Sequence, residues 1–305
     1  MEPLSGRQFQ LRAGDYQATI SSVGASLREL TWQDRHLVVP YAADEIRPLY
    51  RGAVLAPWPN RVVDGRYQFD GVEHQLALTE PDRGHALHGL AVWHDFAQIS
   101  KEPGAVRLGV TVPAQAGYPF RLRLVVTYSL TEQGLAISLE ATNTGQRPAP
   151  FGAGIHPYLC VGSGVVNDWF LELPAASVLA VTPDRLAPLD VHPVTEPTGE
   201  FDFRQRRAIG NTFIDHAFTD LSAGPGGMFT ARLTDDAGRG VAVRWGQECR
   251  WVQVHTADRP DPETHRIGLA VEPMTCPPDA FNSGHDLMIL PVNGSAVVQW
   301  HVAGA

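Results

Sequence analysis

Hydrophobic and polar residues alternate along much of this chain, which is the pattern of half-buried β-strands. In residues 121–130 the even-numbered positions are apolar and most odd-numbered positions are polar. The alternation returns in residues 135–142, after a turn that contains Gly134. Two alternating runs around a Gly-containing turn predict a β-hairpin. A second hairpin is predicted in residues 66–76, with Asp70 and Gly71 at its turn.

Short segments of the same kind recur along the rest of the chain. Further strands are predicted at residues 16–20, 105–112, 169–173, 229–234, 241–245, 251–256, 267–271 and 296–302. Helical periodicity is nearly absent, and 29 Gly and 24 Pro residues interrupt the segments, as many short strands require. We interpret the Pro-rich residues 183–198 as a loop. These features predict an all-β protein with one domain over residues 1–305, built as a large antiparallel sandwich of two stacked sheets.

Composition and charge narrow the possible functions. The chain has 305 residues, of which 44% are hydrophobic, so it can bury a large core. Its 24 Lys and Arg residues against 33 Asp and Glu residues give a net charge of −9, which argues against nucleic acid as a partner. No run approaches 18 consecutive apolar residues, so we expect no membrane association. The 3 scattered cysteines and a polar first segment without signal-peptide order favour a cytoplasmic protein.

A carboxylate at the end of an apolar run is the strongest chemical signal. Residues 267–271 are predicted as a buried strand that ends at Glu272, before a Pro-rich turn. Burying an unpaired charge is strongly unfavourable, so this carboxylate needs a partner or a function. His156 occupies a second strand-to-turn segment, behind small residues that allow close approach to the backbone. We interpret the two as a general acid–base pair in which burial raises the pKa of Glu272 and a nearby carboxylate keeps His156 protonated.

A loop at residues 56–61 presents three polar side chains together. Its two prolines make it rigid and extended. Taken singly, Trp58 would be a core residue and Arg61 a surface charge. Together with Asn60 they supply an indole, a guanidinium and an amide, which we expect to contact a polar ligand.

Two histidines three residues apart, His85 and His88, lie in a Gly-bounded loop. A zinc site needs three or four ligands at suitable spacing. His74 and His94 are close in sequence but lie in different local patterns, so we expect no metal ion. A neutral His88 that exchanges hydrogen bonds with a sugar hydroxyl fits this loop better.

Asp215 stands between apolar neighbours and must be paired or hydrogen-bonded. It either bonds its own backbone in a turn or accepts hydrogen bonds from two vicinal hydroxyls of a sugar. With Arg61, His88, His156 and Glu272 it completes the inventory of a carbohydrate site. No spacing among these residues is diagnostic by itself.

Six short motifs occur in a fixed order between residues 56 and 282. They are Asn60-Arg61-Val62 with Gly65, Leu87-His88-Gly89, Gly117-Tyr118-Pro119, His156-Pro157-Tyr158, Asp215-His216-Ala217-Phe218, and Glu272 with Pro278-Asp279-Ala280-Phe281-Asn282. Each motif is weak alone, but the ordered set is fairly specific. The set resembles the aldose 1-epimerase (mutarotase) family of the galactose mutarotase-like superfamily, in a divergent bacterial branch.

The resemblance implies a β-supersandwich fold and an enzyme that interconverts the α and β anomers of a hexose by acid–base ring opening and closing. It implies Glu272 as the general base and His156 as the general acid. It also implies that Arg61, His88 and Asp215 hold the sugar hydroxyls, with no metal or organic cofactor. The expected partner is a small sugar, and the expected state is a monomer or a homodimer.

Four positions depart from the family pattern. They are Pro157 where Ser is common, Met274 where Gln is common, His85 where Asn is common and His255 where Tyr is common. These departures leave the identity of the sugar open. The segment after Glu272 resembles a branch that includes mutarotases for modified sugars such as sulfosugars. A hexose-6-phosphate mutarotase is also possible, with Arg61 and either Arg51 or Arg83 at the phosphate.

Two other classes of function remain open from the residues alone. A glycoside hydrolase would use two carboxylates, here Asp215 and Glu272, but it would leave His156 without a role. A non-catalytic carbohydrate-binding protein would retain Trp58 and Asp215 for the sugar. It would have no need to hold Glu272 and His156 together.

Overall fold

Strands provide nearly all the regular structure in the computed structural model, which describes residues 2–305. The first thirteen are β1 (Gln8–Ala13), β2 (Tyr16–Ser21), β3 (Ser26–Trp32), β4 (Arg35–His36), β5 (Val54–Leu55), β6 (Arg61–Val63), β7 (Arg66–Phe69), β8 (Val72–Gln75), β9 (His85–Leu87), β10 (Ala97–Glu102), β11 (Ala105–Val112), β12 (Leu122–Thr131) and β13 (Gly134–Asn143). The others are β14 (Ala149–Phe151), β15 (Gly154–Ile155), β16 (Tyr158–Leu159), β17 (Phe170–Glu172), β18 (Ala175–Val181), β19 (Pro188–Pro193), β20 (Arg207–Ala208), β21 (Asp215–Leu221), β22 (Phe229–Thr234), β23 (Gly240–Trp245), β24 (Trp251–His255), β25 (Leu269–Met274), β26 (Met288–Leu290) and β27 (Ser295–Gly304).

Helical structure is limited to single turns. These are α1 (Ala280–Ser283) and the 3-10 turns Pro48–Tyr50, Ala91–Trp93, Val166–Asp168 and Pro225–Gly227. Among residues 2–305, none of these helices has the length and apolar character needed to cross a membrane.

Two large antiparallel sheets dominate the architecture. One has nine strands in the order β10-β11-β12-β13-β27-β23-β22-β17-β20. The other has eight strands, in the order β19-β18-β21-β24-β25-β15-β5 with β16 also paired to β25. A four-stranded sheet, β1-β2-β3-β4, precedes them in the chain. The all-β prediction and both predicted hairpins, β12–β13 and β7–β8, are confirmed.

The two faces of the eight-stranded sheet have different surroundings. Val252, Val254 and Val271 belong to the main hydrophobic cluster, which also contains residues of the nine-stranded sheet. Trp300 of β27 donates a hydrogen bond from its indole N–H to the carbonyl of Pro273 in β25, at 3.2 Å. Because neighbouring residues of a strand point to opposite faces, the residues between these valines point away from that core. The site described below lies on this second face.

Two sequence predictions are wrong, one about where a strand ends and one about a loop. Glu272 lies inside β25, which continues to Met274, and not at the end of a strand. Pro273 fits there because its ring allows an extended backbone, and because the neighbouring strand is interrupted between β15 and β16 at the same level. Residues 183–198 are not only a loop, because they contain β19. That strand is at the edge of its sheet, where prolines are tolerated.

Candidate active site

Three adjacent strands, β21, β24 and β25, bring four polar side chains to one face of the eight-stranded sheet. Asp215 pairs in register with His255, and Gln253 pairs with Glu272. Gln253 and His255 are two residues apart, so they share a face. The Gln253 amide donates to Asp215 Oδ1 at 2.8 Å. His255 Nδ1 lies 3.6 Å from Asp215 Oδ2.

His156 lies beside Glu272 in the interruption between β15 and β16. Its Nε2 is 3.3 Å from Glu272 Oε1, and both side chains are almost fully buried. Both backbone polar groups of His156 are hydrogen-bonded. Its N–H donates to Ala53 O at 3.0 Å, and its carbonyl accepts from the Gly52 N–H at 2.7 Å. The general acid–base pair expected from the sequence is therefore in contact.

His88 completes a compact group with these two residues. It follows β9, and its backbone N–H donates to the carbonyl of Asn60 at 2.8 Å. Its ring packs edge-on against the His156 ring, with centroids 4.9 Å apart. Donor atoms of His88, His156 and Glu272 all lie within 4.8 Å of one another, a spacing that could accommodate a metal ion. His85 lies outside this group, where Nδ1 accepts from the Asp64 N–H at 3.3 Å.

Arg61, at the start of β6, is clamped by Glu80. Its Nε donates to Glu80 Oε2 at 2.7 Å and its Nη2 donates to Oε1 at 3.0 Å. Arg83 also donates to Glu80 Oε1, at 2.9 Å. Sequence reasoning missed Glu80, because nothing in its polar loop marks it as the partner of a residue 19 positions away. The clamp fixes the direction in which the Arg61 guanidinium presents its remaining N–H groups.

All these groups border one cavity of about 370 Å³. Its lining residues are Leu49, Tyr50, Asn60, Arg61, Thr79, Glu80, Pro81, Asp82, Arg83, Leu87, His88, His156, Tyr158, Phe213, Asp215, Gln253, His255, Asp258, Arg259 and Glu272. Six of the seven site residues predicted from the sequence are among them. Tyr50, Gln253 and Arg259 were not predicted. The Arg259 Nε is buried without a hydrogen-bond partner among residues 2–305.

Trp58 is the predicted site residue that the structure keeps away from the cavity. Its side chain is only 3% exposed, and its indole N–H donates to Ala86 O at 3.3 Å. The ring packs edge-on against Phe281, with centroids 5.5 Å apart. Asn60 does line the cavity, but its side-chain oxygen accepts the Arg61 backbone N–H at 2.9 Å. The indole thus packs on the side of the loop that faces away from the cavity, while Asn60 and Arg61 line the cavity.

Burial decides the protonation of the acid–base pair. Burial, followed by the charge of Asp215, raises the pKa of Glu272 well above its usual range. Burial, followed by repulsion from His255, lowers the pKa of His156 to about 3. The expectation for Glu272 is confirmed, whereas the expectation of a protonated His156 is wrong. At pH values between the lowered pKa of His156 and the raised pKa of Glu272, the pair holds one proton. Burial favours the arrangement without charges, in which Glu272 carries this proton and His156 is neutral.

Asp215 and His88 differ from this pair in their electrostatics. Burial acts to raise the pKa of Asp215, but His255, Arg61 and the hydrogen bond from Gln253 hold it below its usual range. Asp215 is therefore a carboxylate at neutral pH and accepts hydrogen bonds only. Burial, with repulsion from His156, lowers the pKa of His88 well below its usual range, so its imidazole is neutral.

The fold and this cavity define the class of the protein. The family model described as aldose 1-epimerase matches residues 7–296, so the chain belongs to that family, whose members are isomerases acting on sugars. YihR of Escherichia coli (strain K12), described as uncharacterized, is 39% identical over 287 residues, which cover 94% of this chain and 89% of that protein. The galactose mutarotase of Rattus norvegicus is 28% identical over 220 residues, which cover 67% of this chain and 62% of that protein.

Solved structures agree with the fold. A GalM/aldose epimerase homologue from C. elegans superposes with a TM-score of 0.86 at 19% identity, and the match covers 98% of each chain. Galactose 1-epimerase from Lactobacillus acidophilus NCFM superposes with a TM-score of 0.80 at 19% identity, covering 98% of this chain and 94% of that chain. The predicted galactose mutarotase-like supersandwich is thereby confirmed.

Proposed function

We propose that this protein is a mutarotase that interconverts the α and β anomers of a hexose, with Glu272 and His156 as its acid–base pair. The observation that carries the proposal is the 3.3 Å contact between His156 Nε2 and Glu272 Oε1. This contact borders a cavity that also presents a carboxylate, a guanidinium and a neutral imidazole. The cavity volume of about 370 Å³ suits a monosaccharide, since small-molecule sites span about 300–1,000 Å³.

Anomer exchange requires two proton transfers in each direction. Ring opening removes the proton of the C1 hydroxyl and protonates the ring oxygen, and ring closing reverses both transfers. In our proposal Glu272 accepts the C1 proton and His156 donates to the ring oxygen. The two residues exchange these roles after the open aldehyde has rotated about its C1–C2 bond, so that the hydroxyl re-forms on the other face.

The number of protons on the pair fits this cycle. One proton shared by Glu272 and His156 suffices for both transfers. Burial favours that proton on Glu272, and its transfer to His156 gives the carboxylate and imidazolium that ring opening uses. Hydrogen bonds from the sugar stabilise the charged forms. Since each positioned acid or base contributes about 10²–10⁴-fold, the pair accounts for a large part of the expected acceleration.

The hydroxyl groups that do not react must be bound in fixed positions, while the aldehyde at C1 remains free to rotate about the C1–C2 bond. Asp215 is an ionised acceptor fixed by Gln253, and Arg61 is a donor fixed by Glu80. His88 is neutral and can both donate and accept. We propose that these three residues bind the hydroxyls that do not react, and that Asn60 contributes mainly through its hydrogen bond to the Arg61 backbone.

A hexose with an anionic substituent, such as a phosphate or a sulfonate, is the second candidate substrate. Arg259 supports it, because its side chain borders the cavity and lies beside Tyr158, which lines the cavity as well. Arginine binds phosphate and related anions in a bidentate manner. Arg259→Ala separates the candidates, because it should raise KM for charged sugars by about 10-fold or more and leave neutral hexoses nearly unchanged.

The test is the rate of anomer exchange, measured by polarimetry or anomeric proton NMR on freshly dissolved α-D-glucose, α-D-galactose and sugars with a phosphate or a sulfonate at C6. Acceleration that is lost in Glu272→Gln and in His156→Asn supports the proposal. Asp286→Asn is a matched control, because Asp286 accepts a hydrogen bond from Trp251 at 2.8 Å outside the cavity. Sugar binding without acceleration of any substrate would instead indicate a carbohydrate-binding protein. Hydrolysis of aryl glycosides would indicate a glycosidase.

A further inference from the structure

The turn that precedes β5, at the rim of the cavity, has an unusual backbone. Leu49 and Tyr50 are consecutive, bulky residues, and their φ angles are 52° and 56°. Left-handed backbone is strained at a residue other than glycine, and it persists only where the surrounding structure enforces it. Both residues line the cavity. Strained residues cluster at functional sites, so the strain indicates that the position of the Tyr50 side chain has a function.

Hydrogen bonds tie this turn to the backbone of the proposed general acid. The Arg51 N–H donates to Pro48 O at 2.9 Å, and the Ala53 N–H donates to Tyr50 O at 3.0 Å. Gly52 N–H then donates to the carbonyl of His156 at 2.7 Å. The backbone that carries Tyr50 is therefore hydrogen-bonded, through Gly52 and Ala53, to the backbone of His156.

The Tyr50 ring packs against both histidines of the site. Its centroid lies 4.8 Å from that of His88 in an edge-on arrangement, and 6.4 Å from that of His156 with the planes 27° apart. Tyr158 stacks on His156 as well, at 5.3 Å and 13°. Two tyrosine rings thus stack with His156. His88 pairs only with Tyr50 and His156 among the aromatic and imidazole ring pairs of residues 2–305.

The two histidines lack the hydrogen bond that usually orients an imidazole. A functional histidine is normally held by a hydrogen bond at its second ring nitrogen. Here the Nδ1 atoms of His88 and His156 are buried, and neither has a hydrogen-bond partner among residues 2–305. Ring packing, together with the Nε2 contact of His156 to Glu272, therefore holds the two orientations.

We propose that Tyr50 is a positioning residue of this site, whose ring, held by the left-handed turn, keeps the imidazoles of His88 and His156 facing the bound sugar. The inference rests on the proposed function for its catalytic consequence. The orientation of the two rings is a property of the protein alone. The aromatic ring performs this role, and the hydroxyl is dispensable.

Three variants separate the ring from the backbone. Tyr50→Phe keeps the ring and should keep kcat within about 3-fold, because Tyr50 is only partly buried and a hydroxyl at such a site contributes little. Tyr50→Ala and Tyr50→Gly both remove it and should lower kcat alike, by about 10–100-fold, with a smaller change in KM. Glycine accepts φ of 56° without strain, so Tyr50→Gly should melt roughly 1–3 °C above Tyr50→Ala.

The result that supports the proposal is a kcat that follows the presence of the ring and not the Tm. A kcat that recovers in Tyr50→Gly in step with its Tm would show a merely structural turn. A loss in Tyr50→Phe as large as in Tyr50→Ala would assign the role to the hydroxyl. An unchanged kcat in all three variants would also overturn the inference.

A second readout does not depend on catalysis. Side-chain NMR of ¹⁵N-labelled histidine should show His88 and His156 signals that broaden or shift in Tyr50→Ala and stay in place in Tyr50→Phe. Unchanged signals in Tyr50→Ala would overturn the positioning role. If the wild type accelerates no anomer exchange, the proposed function fails, and the histidine spectra still decide the role of Tyr50.

Discussion

Asp215→Asn tests how the site holds its sugar, because it removes one charge and keeps almost the same shape. Gln253 donates to Asp215 Oδ1 at 2.8 Å, and the side-chain oxygen of asparagine can accept the same bond. The substitution removes the charge that His255 and Arg61 stabilise, and it replaces one acceptor oxygen with a donor NH₂ group.

The size of the effect follows from the proposed bonds to two vicinal hydroxyls. A hydrogen bond to a charged group contributes about 1.5–3 kcal/mol, against about 0.5–1.5 kcal/mol for a neutral one. The difference of about 1–1.5 kcal/mol per hydroxyl gives about 2–3 kcal/mol for two. At about 1.4 kcal/mol per factor of ten, kcat/KM should fall roughly 30–150-fold. Because these hydroxyls do not react, most of the loss should appear in KM.

The same substitution should move the pH profile in a defined direction. The charge of Asp215 raises the pKa of both Glu272 and His156, so its removal lowers both values. Activity needs one proton on the pair and is lost as pH rises through the upper pKa of the pair. The basic limb of kcat/KM should therefore move to lower pH in Asp215→Asn.

The assay is steady-state anomer exchange between pH 5 and 10, with Asp286→Asn as the matched control outside the cavity. The control should keep the wild-type KM and the wild-type pH profile. An unchanged KM in Asp215→Asn, or an equal loss in the control, would refute the assignment of Asp215 to the sugar. A basic limb that stays in place would refute its electrostatic coupling to the acid–base pair.

The Arg61–Glu80 clamp and the acid–base pair each give further expected results. Glu80→Gln should raise KM about 10-fold, as Arg61→Lys should, because both weaken one charge-assisted contact; steady-state rates check this, and a wild-type KM in Glu80→Gln would contradict it. His156→Asn should lower kcat at least about 100-fold with little change in KM, and single-turnover exchange rates near the wild-type value would contradict its role. Glu272→Gln should raise Tm increasingly above pH 4.5, the ordinary glutamate pKa. There the folded wild type keeps a proton that its unfolded chain releases, so its stability falls by up to about 1.4 kcal/mol per pH unit. A Tm difference between Glu272→Gln and the wild type that does not change with pH would contradict the raised pKa of Glu272.

The fold was largely predictable because alternation of apolar and polar residues is a local signal. Residues 121–142 alternate so regularly that the β12–β13 hairpin is evident from the letters alone. The position of Glu272 inside β25 was harder to predict. Whether Pro273 ends a strand depends on what the neighbouring chain does at that level, and this is set by the interruption at His156, more than 100 residues away. The extent of the single domain stays a prediction.

The candidate site was predictable where an apolar context made a polar residue conspicuous. Asp215 and Glu272 stand among apolar neighbours and both line the cavity. Glu80 and Tyr50 lie in polar or Pro-containing turns and carry no such contrast, so only the folded chain reveals their partners. Trp58 shows the opposite case. Its neighbours in sequence face the cavity, but a large indole is more stable when packed inside, and there its N–H finds a backbone carbonyl.

The most direct test of the central claim is the exchange rate between hexose anomers at equilibrium, followed by NMR, for the wild type and Glu272→Gln. Both proteins should be measured at matched sugar occupancy, with circular dichroism to establish that the fold is retained. We predict that the wild type accelerates exchange and that the variant is slower by at least about 100-fold while it still binds the sugar. Exchange at a near-normal rate in a folded Glu272→Gln would contradict the account.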